Sequence, residues 1–166
     1  KRYVPELGGC SSLIVCSDAN LDRAVKIILN GCFKNSGQRC TSIRRVFVDQ
    51  SIVEQFIEKL MIHVKAIVYG NPLDENVNMG TIIDEESAIR IEKRINSAIS
   101  AGAKLLYGGQ RTGALLSPTV LDYVDLSIQG HEWEFAFSNY YSINGNYEAS
   151  FIYHAVMRLR PRDGSA

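Results

Sequence analysis

Two side chains in the 166-residue sequence have the type and setting for covalent chemistry on a carbonyl carbon. Cys40 stands near the end of a polar loop, Asn35-Ser36-Gly37-Gln38-Arg39-Cys40-Thr41, where a thiol can be reached and helped to ionise. Backbone N–H groups of such a loop can also stabilise the oxyanion that forms when a thiolate adds to a carbonyl. Glu6 precedes Gly8-Gly9, a turn able to present a carboxylate to a cleft as a general base. Arg39, next to the thiol, can hold a phosphonate or phosphate by two parallel charge-assisted hydrogen bonds, or it can turn away and pair with a nearby acid. Each of these signals is weak alone, since glutamates before glycine turns and single loop cysteines are common.

The remaining cysteines, Cys10, Cys16 and Cys32, precede Cys40 at spacings that contain no C-x-x-C pair, so no metal site is expected. A disulfide framework is not expected either in a neutral chain of this size without an export signal. Cys16 and Cys32 fit core positions of a strand and a helix. His63 lies near a helical apolar stripe and reads as partly buried; His131 and His154 carry no ligand role.

The elements that must position Cys40 and Glu6 alternate between strands and helices. Ser11 to Val15 is a short apolar run after Gly8-Gly9, read as a strand. Asp18 and Asn20 offer N-cap oxygens for a helix to about Asn30, with Leu21, Val25 and Ile28 on one face. After the Cys40 loop, Arg44 to Val48 reads as a strand, and Val53, Phe56, Leu60, Val64 and Ile67 mark a helix over 51–67. Asn71-Pro72 breaks it. A third helix is expected from Glu85 to Ala101, with Ala88, Ile91, Ile95 and Ala98 inward and Gly102 as its stop. Strands follow over 103–107 and 117–124, separated by a Gly108-Gly109 turn. The pattern predicts an α/β fold with a mostly parallel sheet.

Composition narrows the partners. The chain is 46% hydrophobic and 22% charged, ordinary for a globular domain, and its 18 basic and 18 acidic side chains balance. Neutrality gives no electrostatic reason to expect nucleic acid or a membrane surface as partner. No run approaches the roughly 20 apolar residues that span a bilayer, and the opening residues hold no apolar signal segment, so a cytoplasmic protein is expected. Composition shifts after Leu126: residues 127–166 hold eight of the fifteen aromatic side chains and show a helical period only over 149–159. Two units are therefore expected, 1–126 and an aromatic-rich tail, 127–166.

Together the motifs carry a family resemblance. Glu6-Leu7-Gly8-Gly9, Asp18-Ala19-Asn20-Leu21-Asp22 and Asn35-Ser36-Gly37-Gln38-Arg39-Cys40-Thr41 resemble, in order and separation, the aldehyde dehydrogenase superfamily. Met79-Gly80, Gly102-Ala103, Gly108-Gly109 and Pro118-Thr119-Val120-Leu121 continue the match to about residue 126. The resemblance implies part of the layered catalytic domain of that family and the NAD(P)-dependent oxidation of a small-molecule aldehyde to an acid. It implies Cys40 as nucleophile through a thiohemiacetal and thioester, Glu6 as the base that activates water, and the Cys40 N–H as an oxyanion donor. A homo-oligomer is implied for the full-length enzyme.

Residues 37–45, 79–85 and 106–115 look most like phosphonoacetaldehyde dehydrogenases, with Arg39 as the substrate-binding group. Non-phosphorylating glyceraldehyde-3-phosphate and semialdehyde dehydrogenases are the competing likenesses. Family members place a nucleotide-binding domain ahead of the glutamate, and this sequence starts almost at Glu6; cofactor-binding residues are therefore unassigned. His131-Glu132-Trp133-Glu134-Phe135 stands where the family has a glutamate before Phe-Gly-Pro, and no cofactor role passes to Glu132 or Glu134. The contrasting expectation is a non-catalytic remnant or interaction module.

Overall fold

The computed structural model describes residues 8–9 and 11–124, together with the backbone of a strand at His154–Leu159. Glu6, Cys10, His131 and most of 127–166 lie outside the described residues.

β1 (Ser11–Val15) and β2 (Ile43–Asp49) are parallel neighbours, and helix α1 (Leu21–Phe33) connects them. α1 starts where Asn20 Oδ1 accepts the Arg23 N–H at 3.0 Å, and it buries Val25, Ile28 and Cys32. α2 (Val53–Lys65) buries Val53, Phe56, Leu60 and Val64, the stripe expected from spacing. α3 (Glu85–Ser100) begins at Asp84, whose Oδ1 accepts the Ser87 N–H at 2.7 Å. Its four expected inward residues, Ala88, Ile91, Ile95 and Ala98, are all buried, and Gly102 ends the run at φ +102°.

The short strands β3 (Lys104–Tyr107), β4 (Arg111–Thr112), β5 (Leu115–Leu116) and β6 (Val120–Asp122) follow. β4 and β5 pair only with each other, a hairpin that the sequence reading omits. The strand expected over 117–124 is cut to three residues. Pro118 has no ladder donor, and its neighbours face the preceding turn: Gly109 N–H donates to Thr119 Oγ1 at 2.9 Å and Gln110 N–H to Ser117 Oγ at 3.0 Å.

The helical period over 149–159 is overridden: His154–Leu159 is strand β7. It lies between β2 and β6, parallel to both, in a five-stranded sheet of order β1-β2-β7-β6-β3. β2 pairs with residues 155–159 and β6 with residues 154–156, a tertiary gain that a weak local period cannot match. β3 is antiparallel at one edge, so the sheet is mostly parallel, as expected.

Two apolar clusters hold the layers together. One joins α1 and α2 to β1 and β2 through Val15, Val25, Ile28, Val46, Val48 and Phe56. The other joins α3 to β5 and β6 through Ile82, Ile91, Ile95, Leu116 and Leu121. No helix among the described residues is long and apolar enough to cross a membrane.

Candidate active site

The register of β1 against β2 brings two predicted loops to one place. Ser11 pairs with Ile43, so the chain entering β1 and the chain entering β2 meet at the same end of a parallel pair. A Cβ on Gly9 would stand 1.9 Å from the carbonyl oxygen of Cys40, a separation only glycine avoids. The register also shifts between Ser11 and Ser12, directly after this approach. The glycine turn that follows Glu6 therefore packs on the backbone of the proposed nucleophile. The site lies at the N-terminal ends of these strands, not the carboxyl ends usual for open α/β sheets.

The Cys40 loop departs from ordinary backbone. Asn35, Ser36 and Gly37 are consecutive left-handed residues, at φ +57°, +53° and +67°. For non-glycine residues this conformation costs roughly 1–2 kcal/mol each, and it persists because surrounding contacts over-determine it. Ser36 Oγ donates to the Gly80 carbonyl at 2.9 Å. Gln38 Nε2 donates to the Thr81 carbonyl at 3.1 Å, while its Oε1 accepts the Ile83 N–H at 2.8 Å. Arg44, 1% exposed in β2, donates from Nη2 to the Gly37 carbonyl at 3.2 Å.

Arg39 is turned to the end of α1. Its Nη2 donates to the Asn30 carbonyl at 2.6 Å and the Gly31 carbonyl at 3.2 Å, two of the last four carbonyls that the helix leaves unpaired. The positive charge also opposes the negative end of the helix dipole. The acid expected as the alternative partner is replaced by these carbonyls.

Exposure separates Cys40 from Cys32. Cys40 is exposed on its turn, whereas Cys32 is fully buried in α1. Burial pushes the Cys32 thiol well above the usual range, with the charges of Arg44 and Arg39 opposing that rise. Cys16 departs from its expected core position: it follows the last residue of β1 and is exposed. His63 likewise lies on the outer side of α2, exposed. Behind the loop, where the apolar clusters meet, Cys32, Phe33, Ser36, Met79, Ile82 and Leu116 help to line a cavity of about 10 Å³. That is the size of one water and too small for a substrate.

The described residues hold no metal-binding cluster, and the starts of α1 and α3 do not suit a pyrophosphate. No group of three His, Cys, Asp or Glu among the described residues could hold an ion. A common pyrophosphate site is a free helix N-terminus behind a glycine-rich turn. The turn into α1 has no glycine, and its helix start is capped by Asn20 and flanked by Asp18 and Asp22. α3 starts with Asp84, Glu85 and Glu86. Acidic first turns repel a phosphate.

Ser36 and Gln38 are the functional candidates that sequence reasoning passed over. They were visible only as motif letters, since their partners lie 43–45 residues away.

Residues 1–135 match the model of the aldehyde dehydrogenase family, beyond the span read from motifs. Lactaldehyde dehydrogenase of Methanococcus aeolicus is 43% identical over 122 residues, which are 74% of this chain and 26% of that protein. Glyceraldehyde-3-phosphate dehydrogenase GapN of Methanocaldococcus jannaschii, solved in complex with NADP, superposes with a TM-score of 0.71 at 43% identity, over 74% of this chain and 26% of the other. An NADP-dependent enzyme of E. coli superposes over 93% of this chain and 30% of its own, with a TM-score of 0.77 at 29% identity. The chain thus spans about a quarter of the length of the curated relatives it matches.

Proposed function

The chain belongs to the aldehyde dehydrogenase family, and on that premise we propose that it carries the nucleophile of an enzyme that oxidises an aldehyde to a carboxylic acid with NAD or NADP. The observation that carries this reading is the exposed Cys40 on a loop tied down on several sides and packed on Gly9.

The Cys40 thiolate adds to the aldehyde carbon, forming the S–C bond of a thiohemiacetal, while the Cys40 N–H donates to the developing oxyanion. Oxidation of that adduct to a thioester requires a hydride acceptor, which is the chemistry a nicotinamide supplies. The starts of α1 and α3 do not suit its pyrophosphate, and no described residue is assigned to hold it. Glu6, three residues ahead of Gly9, takes a proton from water; the water oxygen adds to the thioester carbon, the C–S bond breaks, and acid and thiol are released.

For the substrate, the relatives named for lactaldehyde and glyceraldehyde 3-phosphate share a short 2-hydroxyaldehyde. We take a short polar aldehyde of that class as the substrate. For Arg39 to anchor a phosphonate- or phosphate-bearing aldehyde such as phosphonoacetaldehyde, its guanidinium would have to leave the carbonyls of Asn30 and Gly31. The arrangement therefore favours a positioning role for Arg39 over an anion anchor.

Acylation tests the nucleophile without any cofactor. The chain treated with 4-nitrophenyl acetate should carry one acetyl group on Cys40, read by peptide mass mapping, and Cys40→Ala should reduce release of nitrophenolate to the uncatalysed background. Acetylation at Cys16 instead, or release unaffected by the substitution, would remove Cys40 from this role.

A further inference from the structure

We propose that the carboxamide of Gln38 is a positioning group for Cys40, latching the nucleophile loop to the segment 80–83 and so setting where the Cys40 thiol and N–H stand. The inference rests on the reading of Cys40 as the acyl-accepting nucleophile. A planar primary amide presents one donor and one acceptor side by side. Gln38 meets a carbonyl and an N–H two residues apart, at Thr81 and Ile83, as a neighbouring strand would. Ser36 adds a third bond to the same segment at Gly80.

The segment is itself anchored. Ile82 is 3% exposed in the α3 cluster, and its N–H donates to the Ala114 carbonyl at 2.9 Å. The latch thus references the loop to the second apolar cluster. Gly9 and Arg39 reference it to β1 and α1. From Gln38 the path to the nucleophile is short and stiff: Arg39 N–H donates to Gly37 and Ser42 N–H to Arg39, enclosing Cys40 in a tight turn. A lost latch lets that turn rotate, and attack on a carbonyl is sensitive to it because sulfur and oxyanion donor must be placed together.

Acylation and alkylation report differently on such a rotation. Iodoacetamide reacts by displacement and needs no oxyanion donor, whereas 4-nitrophenyl acetate needs both sulfur and N–H in place. In Gln38→Met, which keeps the side-chain length without the amide, acylation of Cys40 should fall about 10–100-fold and alkylation of the same residue less than about 3-fold. Amide hydrogen exchange at Ile83 should quicken. Gln38→Glu keeps the acceptor for Ile83 but sets a carboxylate against the Thr81 carbonyl, and should shift the same ratio in the same direction.

Wild-type acylation in Gln38→Met, or an equal fall in acylation and alkylation, overturns the latch. Should Gln38→Met not fold, an unchanged ratio in Gln38→Glu does the same. A wild-type chain whose acetyl group is not on Cys40 overturns the nucleophile itself, and the positioning role with it.

Discussion

Helix α3 and the Cys40 loop, which Gln38 ties to the segment leading into that helix, are built by opposite means. α3 is self-contained in sequence: an Asp84 cap three residues from its partner, apolar side chains at intervals of three and four, and a glycine stop at Gly102. The Cys40 loop adopts left-handed backbone at Asn35 and Ser36 and depends on groups 7 to 45 residues away. A helix that buries a stripe can be stable on local terms plus packing. A loop that must present a reactive thiol cannot bury it, so its geometry is imposed by neighbours. Stability and reactivity should therefore respond to different substitutions.

Ile95→Ala is the strongest way to break the first half of that contrast. Ile95 is 1% exposed among α3, β5 and β6, and its truncation should cost about 2–5 kcal/mol. The urea midpoint should fall accordingly, while the rate of acylation of Cys40 by 4-nitrophenyl acetate in the absence of urea stays as in the wild type. A matching loss of Cys40 reactivity would show that the two regions are not separable.

Gly9→Ala addresses the other half. Its Cβ would collide with the Cys40 carbonyl, so overpacking should cost about 1–3 kcal/mol. Acylation of Cys40 should drop more than about 10-fold, because the displaced backbone carries the oxyanion donor. Unchanged acylation would mean that the close approach of the glycine turn has no part in the chemistry.

Asp84→Asn should give the smallest effect and sharpen the description of α3 as locally determined. Hydrogen bonds from the Ser87 backbone and side chain hold the Asp84 carboxyl below its usual range, with the Arg90 charge a lesser aid. A depressed folded-state value means that the contribution is complete above the ordinary carboxylate range and is lost as pH falls through the lower, folded value. Asparagine keeps the cap but does not titrate. Melting temperatures between about pH 5 and about pH 2.5 should therefore fall less steeply in the variant. Asp22, paired with Lys59, and Asp49, bonded to Ser51, are lowered as well and keep part of the slope. An identical slope would place the acid sensitivity elsewhere.

The same contrast explains what could be read in advance. The three helices and the strands β1, β2 and β3 were legible because apolar spacing, caps and glycine stops act within a few residues. Cys40 was legible as a candidate nucleophile from the polarity of its loop, whereas Glu6, proposed from the turn after it, lies outside the described residues. The strand β7 was not, since its parallel pairing with both β2 and β6 outweighs the local period of 149–159. Nor was the orientation of Arg39: an arginine beside a thiol suits an anion as well as a helix end, and only the position of the α1 carbonyls decides between them. His63 is exposed because it stands at the margin of the α2 stripe, and Cys16 because it follows β1 in phase with the exposed Ser12 and Ile14.

By itself the sequence determined the alternating elements, the order of its motifs and the family they mark, all of which follow from residue type and short spacing. Only the tertiary structure decided that Gly9 meets Cys40, that Gln38 clasps the backbone at Thr81 and Ile83, and that Arg39 serves a helix end. Those contacts join residues far apart in the chain. They exist because a parallel register and two apolar clusters bring distant backbone groups within hydrogen-bonding reach, which no local propensity encodes.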